Sequence, residues 1–397
     1  MPVLQIYDRR ERAAVGAADA VFRGAAAVAR PFRRRRRPST PRRILLLRLE
    51  RIGDLVMVLA AIADLRATAP AAEITLVVGD WNEAIARSIP GITQVETLSA
   101  AWLARGSGGL SFPALLGRAR RWRRRKFDVA INFEPDVRSN LMLAASGARW
   151  TAGYRSGGGG PLLDQALDYL PSEHTTDNAR RLVAAVVPGS GRSTGAALLI
   201  VPDEHQQRAA VLLGDRLAPL VAMHVPGGRL VKQWNPREFA TVARALVERR
   251  GAHIVLTGSR IDDEVIGPVR QALAADRVID LSSGHDLLTV AAVLARCDLM
   301  ITGDTGPMHL AAAVGTPIVA VFGPSDPARY APRGPLDQVI RVDLPCAPCN
   351  RIRRPPARCT GRIPDCLASI PSDRVIEAAL AILDGSRERR PLQEQRG

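Results

Sequence analysis

The feature that most constrains this chain is an alternation of short apolar runs with helix-length segments. "ILLLRL" (44–49) is a continuous apolar run bounded by charge. A strand covered by helices on both faces reads this way, because neither face meets water. A turn, "ERIGD", and a helical stretch follow, with Leu55, Val58, Leu59, Ile62 and Leu65 at helical spacing and Pro70 beyond its end. "EITLVVG" (73–79) returns to strand, and "FDVAINF" (127–133) begins the next strand-helix pair. The rhythm restarts at Pro219 with "PLVAMHVPGG", "PREFATVARALVERRG", "HIVLTGS", "DDEVIGPVRQALA", "VIDLSS", "DLLTVAAVLARCD", "LMITGD", "GPMHLAAAVG" and "TPIVAVFGP". Such alternation predicts an α/β chain with two Rossmann-like, doubly wound parallel sheets in tandem.

Length agrees, since 397 residues exceed what one core holds, roughly 250–300. The stretch 153–196, with "GYRSGGGGP", "SEHTTDNARR" and "VPGSGRSTG", reads as a loop-rich junction, and the glycine run 157–160 as a mobile loop. The expected division is a basic extension over 1–41, a first domain over 42–196, a second over 197–370, and a helix and tail over 371–397.

The balance of 55 Lys and Arg against 39 Asp and Glu leaves a formal charge of +16, gathered in "RPFRRRRRP" (30–38), "GRARRWRRRK" (117–126) and "SRERR" (386–390). Clusters of this kind suit a phosphate-rich partner, or simply solvate a face. No aromatic-interleaved basic motif of the RNA-binding kind occurs, so nucleic acid is not expected. "AAVGAADAVFRGAAAVARPF" fails as a membrane anchor because Asp19 and Arg23 interrupt it and its charged block follows the apolar part. With Phe22, Val28 and Phe32 beside the arginine run, it reads either as a helix lying on an anionic membrane surface or as a loosely held extension.

Neither half carries a G-x-G-x-x-G after its first strand, which disfavours nicotinamide and flavin chemistry, and no G-x-x-x-x-G-K-[ST] occurs. What the second half carries instead is "ITGDTGPMHL": Asp304 at a strand end, then Thr305 and Gly306 where Pro307 opens a helix. A helix start binds phosphate through its free N–H groups and dipole, and an Asp there also serves as a helix cap. "PGGRLVKQWNP" (226–236) adds Gly227 and Gly228, which allow close backbone approach, and Lys232, an ammonium suited to a diphosphate. "TGSRIDDE" (257–264) sets Asp262 at another helix start, to accept from ribose hydroxyls or to cap. Gly, Lys and Asp at several strand ends of one half predict a nucleotide diphosphate bound there.

"GDTGPMHLAAAVGTPIVAVFGPSDP", with "KQWNP" upstream and "RLERIGDLVMVLAAIADLR" near the start, resembles glycosyltransferase family 9, the ADP-heptose:lipopolysaccharide heptosyltransferases of GT-B fold. The resemblance covers roughly residues 42–370. It implies two Rossmann-like domains facing a cleft, and a single displacement that inverts the anomeric centre. Asp54 of "RIGD" takes the position of the general base, where a carboxylate at a strand end can accept the proton of an attacking hydroxyl; a plain helix cap is its other reading. Asp304, Thr305 and Gly306 are implied to meet sugar and phosphates, Lys232 to neutralise the departing diphosphate and Asp262 to meet the nucleoside. Gly227 and Gly228 stand where some members hold hydroxylated residues, so only their backbone serves. His309 either bonds the diphosphate or packs the helix start.

ADP-heptose is the implied donor. The implied acceptor is a phosphorylated glycolipid, the lipopolysaccharide inner core, met at the anionic cytoplasmic face of the inner membrane. Another acceptor, including a protein or other glycan, or another nucleotide sugar, fits the same fold. A non-catalytic basic protein binding membrane or nucleic acid is the rival from a different class. No cofactor is required for such catalysis, because lysine and helix dipole stand in for a metal. Cys346, Cys349, Cys359 and Cys366 in "LPCAPCNRIRRPPARCTGRIPDC" have the spacing of a structural zinc or iron knuckle, or are free thiols, while Cys297 reads as core. "SDRVIEAALAILDG" (372–385) predicts a helix that Gly385 stops, and the resemblance implies that it crosses back to the first domain.

Overall fold

The computed structural model describes residues 4–6, 8–29, 36–103, 108–187, 189, 198–215 and 219–394, with side chains through 385. The basic runs at 30–35 and 386–390, and Phe32 with them, lie outside the described side chains. The chain divides into two compact units, Met1–Ile200 and Val201–Gly397.

In the first unit six parallel strands, β1 (Arg43–Arg48), β2 (Glu73–Val78), β3 (Gln94–Thr97), β4 (Val129–Asn132), β5 (Trp150–Tyr154) and β6 (Gln165–Leu167), lie in the order β3-β2-β1-β4-β5-β6. The apolar run read from the sequence is the central strand: Ile44, Leu45, Leu46 and Leu47 are all fully buried, and both neighbours pair with it in parallel. Fully burying each such side chain contributes about 1.5–3 kcal/mol. One face packs Leu45, Leu47, Val77 and Ala130 against Leu115, Trp122 and Met142 from flanking helices. The helix expected from Leu55 onward forms as two, Ile52–Val56 and Leu59–Thr68, divided at Met57 and Val58.

The stretch read as a loop-rich junction is largely structured. It contains the last two residues of β5, all of β6 and a helix, Thr175–Val186. The glycine run is buried rather than exposed. A β-carbon on Gly157 would stand 1.7 Å from the Pro135 carbonyl oxygen, so only glycine fits. The N-terminal helix Arg9–Ala29 closes over this turn. Val15, Asp19, Phe22 and Ala26, at helical spacing, form its covered stripe, and Asp19 accepts a hydrogen bond from the Gly159 N–H at 2.6 Å. The residue that disqualified this segment as a membrane anchor is therefore a buried docking contact. Phe22 belongs to the covered side, whereas Val21 and Val28 are exposed.

The second unit repeats the topology. Strands β7 (Leu220–His224), β8 (His253–Thr257), β9 (Val278–Leu281), β10 (Leu299–Gly303), β11 (Ile318–Val321) and β12 (Gln338–Ile340) lie parallel in the order β12-β11-β10-β7-β8-β9. The last helix runs from Ser372 to Glu394, through Gly385. Its apolar face, Val375, Ile376, Ala379, Ile382 and Leu383, is buried in the core of this unit with Leu246, Ile301 and Val319. The apolar stripe of this helix, which the sequence expectation sent back to the first domain, packs within the second unit.

Candidate active site

In a doubly wound sheet, ligands bind beyond the strand carboxyl ends where the strand order reverses. In the second unit that point lies between β7 and β10. The loop after β10 carries Asp304, and the loop after β7 carries Lys232. Lys232 Nζ lies 2.8 Å from Asp304 Oδ2, with both side chains mostly buried. His309 Nε2 stands 4.0 Å from Asp304 Oδ1. Burial alone would raise the Asp304 carboxyl, but Lys232 and then His309 outweigh it and hold its pKa below the ordinary value. Asp304 thus stays ionised, and its carboxylate is turned to Lys232 and not to the start of the following helix. Thr305 is the N-cap residue of Gly306–Ala313, and its hydroxyl lies 3.1 Å from that of Thr302.

The order of residues around Lys232 explains how it is aimed. Gln233 ties the loop to itself: its Nε2 donates to the carbonyls of Val225 and Trp234, both at 2.7 Å, and its Oε1 accepts from the Gly227 N–H at 2.6 Å. Trp234 is almost fully buried, donates to the Ile370 carbonyl and packs edge-on against Phe239. The two anchors fix the backbone on either side and leave the lysine to reach the strand ends. A β-carbon on Gly227 would meet the Gln233 backbone at 2.7 Å. Gly227 is therefore required by close approach, and its N–H, expected to serve a ligand, is already engaged. Gly228, at φ +67°, is exposed.

Asp262 caps its own turn: its Oδ2 accepts from the Ser259 N–H at 2.9 Å and from the Ser259 hydroxyl at 2.5 Å. The capping reading is the one seen, and both bonds fall on a single carboxylate oxygen.

The first unit reverses order between β1 and β4, and there the structure gathers more charge than the sequence suggested. Arg48, ending β1, is buried and holds Glu50 at 2.9 Å and Asp54 at 3.3 Å. Its Nη1 also donates to the Phe133 carbonyl at 2.7 Å. Burial opposes its charge, but Glu50, Asp54 and Glu134 together raise its pKa. Glu134, beyond β4, is buried and accepts from the Leu49 and Glu50 N–H groups and the Ser139 hydroxyl. Glu50 is pushed up to about 8, first by burial, against the pull of Arg48 and with added repulsion from Asp54, Glu134 and Asp136. Glu134 is raised for the same first reason. One guanidinium cannot balance this many carboxylates, so the cluster retains a proton at neutral pH. Asp54 is the sequence-predicted member, 33% exposed, its Oδ2 also accepting from the Arg51 N–H.

The cysteine segment comes together only in part. Cys366 is buried, and its thiol is pushed up to about 11 by burial and then by the nearness of Cys349, Cys346 and Cys359. Among the described residues, however, no group of three or more His, Cys, Asp or Glu side chains is placed to hold a metal ion. The expected zinc or iron knuckle is not assembled by these side chains as they lie. Cys297 is buried, as read.

The basic run 117–126 divides by role. Arg125 turns inward, pairing with Glu96 and reaching Thr75 and Gln94, while Arg118, Arg120, Arg121, Arg123 and Arg124 face solvent.

Comparison with known proteins agrees with this geometry. Over residues 117–357 the chain matches Glycosyltransferase family 9 (heptosyltransferase). It is 24% identical over 310 residues to the lipopolysaccharide core heptosyltransferase OpsX of Haemophilus influenzae, covering 76% of this chain and 85% of that one. It is 30% identical over 141 residues to lipooligosaccharide heptosyltransferase 2 of the same organism, a match that spans 34% of this chain and 40% of that protein's length. Its fold is similar to that of the family 9 glycosyl transferase of Veillonella parvula, with a TM-score of 0.73 at 24% identity over 86% of this chain and 97% of that one. It is also similar to Escherichia coli ADP-heptose LPS heptosyltransferase II, with a TM-score of 0.70 at 20% identity over 87% and 99%. The match covers more than half of the chain and includes the loops that carry Lys232, Asp262 and Asp304. The chain therefore belongs to glycosyltransferase family 9, the heptosyltransferases.

Proposed function

We propose that this protein transfers heptose from ADP-heptose to the inner core of lipopolysaccharide, with inversion at the anomeric carbon and Asp54 as general base. The observation that carries the donor side is the Lys232–Asp304 pair at 2.8 Å, beside the start of the helix Gly306–Ala313. An ammonium has three hydrogens, so Lys232 can keep one on Asp304 and turn the others to a diphosphate. The buried pair costs desolvation, and a protein that only bound membranes would have no use for it at a strand-order reversal. The matched proteins support the substrates: the Escherichia coli structure is that of an ADP-heptose LPS heptosyltransferase, and the Haemophilus protein is a lipopolysaccharide core heptosyltransferase.

In this scheme an acceptor hydroxyl attacks the anomeric carbon, a C–O bond forms, and the bond to ADP breaks with its electron pair on the diphosphate. Asp54 takes the hydroxyl proton. Glu50, which holds its own proton near neutral pH, is not the group that accepts. Lys232 and the N–H groups at the helix start receive the charge that develops on the leaving diphosphate. Asp304, kept ionised, orients Lys232 and accepts from sugar hydroxyls, while Thr305, Gly306 and His309 border the phosphates and Asp262 meets the ribose. The exposed arginines of 118–124 are suited to a phosphorylated glycolipid at an anionic inner-membrane surface, and the exposed Val21 and Val28 of the N-terminal helix to its headgroup layer. Among the described residues no helix is long and apolar enough to cross a membrane.

Asp54→Ala tests the division of labour. Calorimetry should show ADP bound as in the unaltered protein, while transfer falls about 100-fold or more. Weakened ADP binding with turnover intact would contradict the assignment.

A further inference from the structure

The carboxyl end of β7 presents a histidine that the scheme above leaves unused. His224 is 9% exposed. In register it lies between Thr257 of β8 and Thr302 of β10, at the reversal of strand order itself. Its Nδ1 is 3.1 Å from the Thr257 carbonyl oxygen and 3.1 Å from the Thr257 hydroxyl. A carbonyl oxygen only accepts, and that hydroxyl is within 3.3 Å of the Met223 carbonyl, to which it donates. The ring hydrogen therefore resides on Nδ1. Burial brings the imidazole down to about 4, against the opposing pull of Asp262, so the ring is neutral at physiological pH. Nε2 is left as a lone-pair acceptor, and no hydrogen bond to it forms among the described residues. That nitrogen, on a ring 9% exposed, is open to a hydrogen from a ligand or from water.

Its charged neighbour is Asp262, the residue the scheme above assigns to the ribose. Asp262 lies beside Gly258 and Pro226: a β-carbon on Gly258 would lie 3.6 Å from Pro226 and 3.7 Å from the Asp262 carboxylate. A neutral lone pair repels phosphate oxygens, which belong with Lys232, and attracts an O–H or N–H. We propose that His224 Nε2 accepts a hydrogen bond from the nucleoside of the donor and selects for a nucleotide that carries a hydrogen at that position. The inference rests on the donor-site reading and goes beyond it by assigning a specificity-determining residue. A ribose hydroxyl and a base amine offer the same chemistry, and ligand analogues separate them.

The test is calorimetric binding of ADP, 2′-deoxy-ADP, 3′-deoxy-ADP and the diphosphate of purine riboside, which lacks the 6-amine. Each is titrated into the full chain, His224→Leu and His224→Gln, the last keeping an acceptor oxygen. The Leu variant is expected to bind ADP about tenfold more weakly. One analogue, the one missing the donated hydrogen, should bind the Leu variant and the unaltered protein equally, and the Gln variant should recover part of the ADP affinity. Equal loss for ADP and every analogue would reduce His224 to a packing residue and overturn the proposal, as would no loss at all. If the Leu variant does not fold, the Gln variant decides: a partial loss of ADP affinity that one analogue alone does not share supports the proposal, and an equal loss for every ligand, or no loss, overturns it. Absence of ADP binding to the unaltered protein would sink the donor-site reading itself, a result distinct from ADP binding without coupling to His224.

Discussion

At the residue scale, the chemistry of the first unit turns on how one buried guanidinium is shared. Arg48 holds both Glu50 and Asp54, and the unbalanced charge shifts to Glu50, whose pKa rises from an ordinary 4.5 to about 8. Between those two values the folded chain keeps a proton that the unfolded chain has released, so stability falls as pH rises through that window. Glu50→Gln removes that residue's share of the dependence and should be the more stable protein above pH 8, with the gap closing toward pH 4.5. Denaturant midpoints at several pH values measure it, and parallel curves would contradict the shift. Asp54 was legible because it ends a recognisable motif. Glu50 was not, because its environment depends on Glu134, 84 residues away, and the sequence does not show which strand ends will be neighbours. The same applies to Lys232 and Asp304: each was predicted for the donor, but their direct pairing appears only when β7 and β10 lie side by side.

At the element scale, the strands read from the sequence were those with apolar runs, most of them central; β9, also read, lies at a sheet edge, and the internal, buried β5 was passed over because "WTAGY" runs into glycine-rich sequence. β3, β6 and β12 are short and only partly buried, so "QVET", "QAL" and "QVI" carry too few apolar residues to stand out from loop. The helix Thr175–Val186 was lost for another reason, since its polar face put "TTDNARR" next to loop sequence. The N-terminal helix shows how tertiary packing decides between two readings of an amphipathic segment. Its covered stripe docks on the turn Gly160–Leu162, with Asp19 bonded to the Gly159 N–H. Asp19→Ala strands that buried N–H and should cost about 1–3 kcal/mol in the first unit. Hydrogen exchange at residues 156–160 should rise with it. Unchanged protection there would show that the helix does not hold the turn.

At the scale of the whole molecule, two sheets of identical strand order arise from two stretches of the same sequence rhythm, and each reversal point holds a cluster of charged residues. The first gathers carboxylates around Arg48 and the second gathers Lys232, Asp304 and His309. That division fits an enzyme in which one unit activates the acceptor and the other holds the donor. It was legible because backbone periodicity and loop motifs are local. The cysteine segment was legible only as a spacing, because the distances between its thiols are set by the fold and not by their separation along the chain. The most direct test of the account is incubation of the full chain with ADP-heptose and a lipopolysaccharide inner-core acceptor that lacks heptose, followed by mass spectrometry. The account predicts an acceptor heavier by one heptose and ADP released in equal amount. Donor bound with no gain in acceptor mass, or transfer from UDP-glucose in place of ADP-heptose, would contradict it.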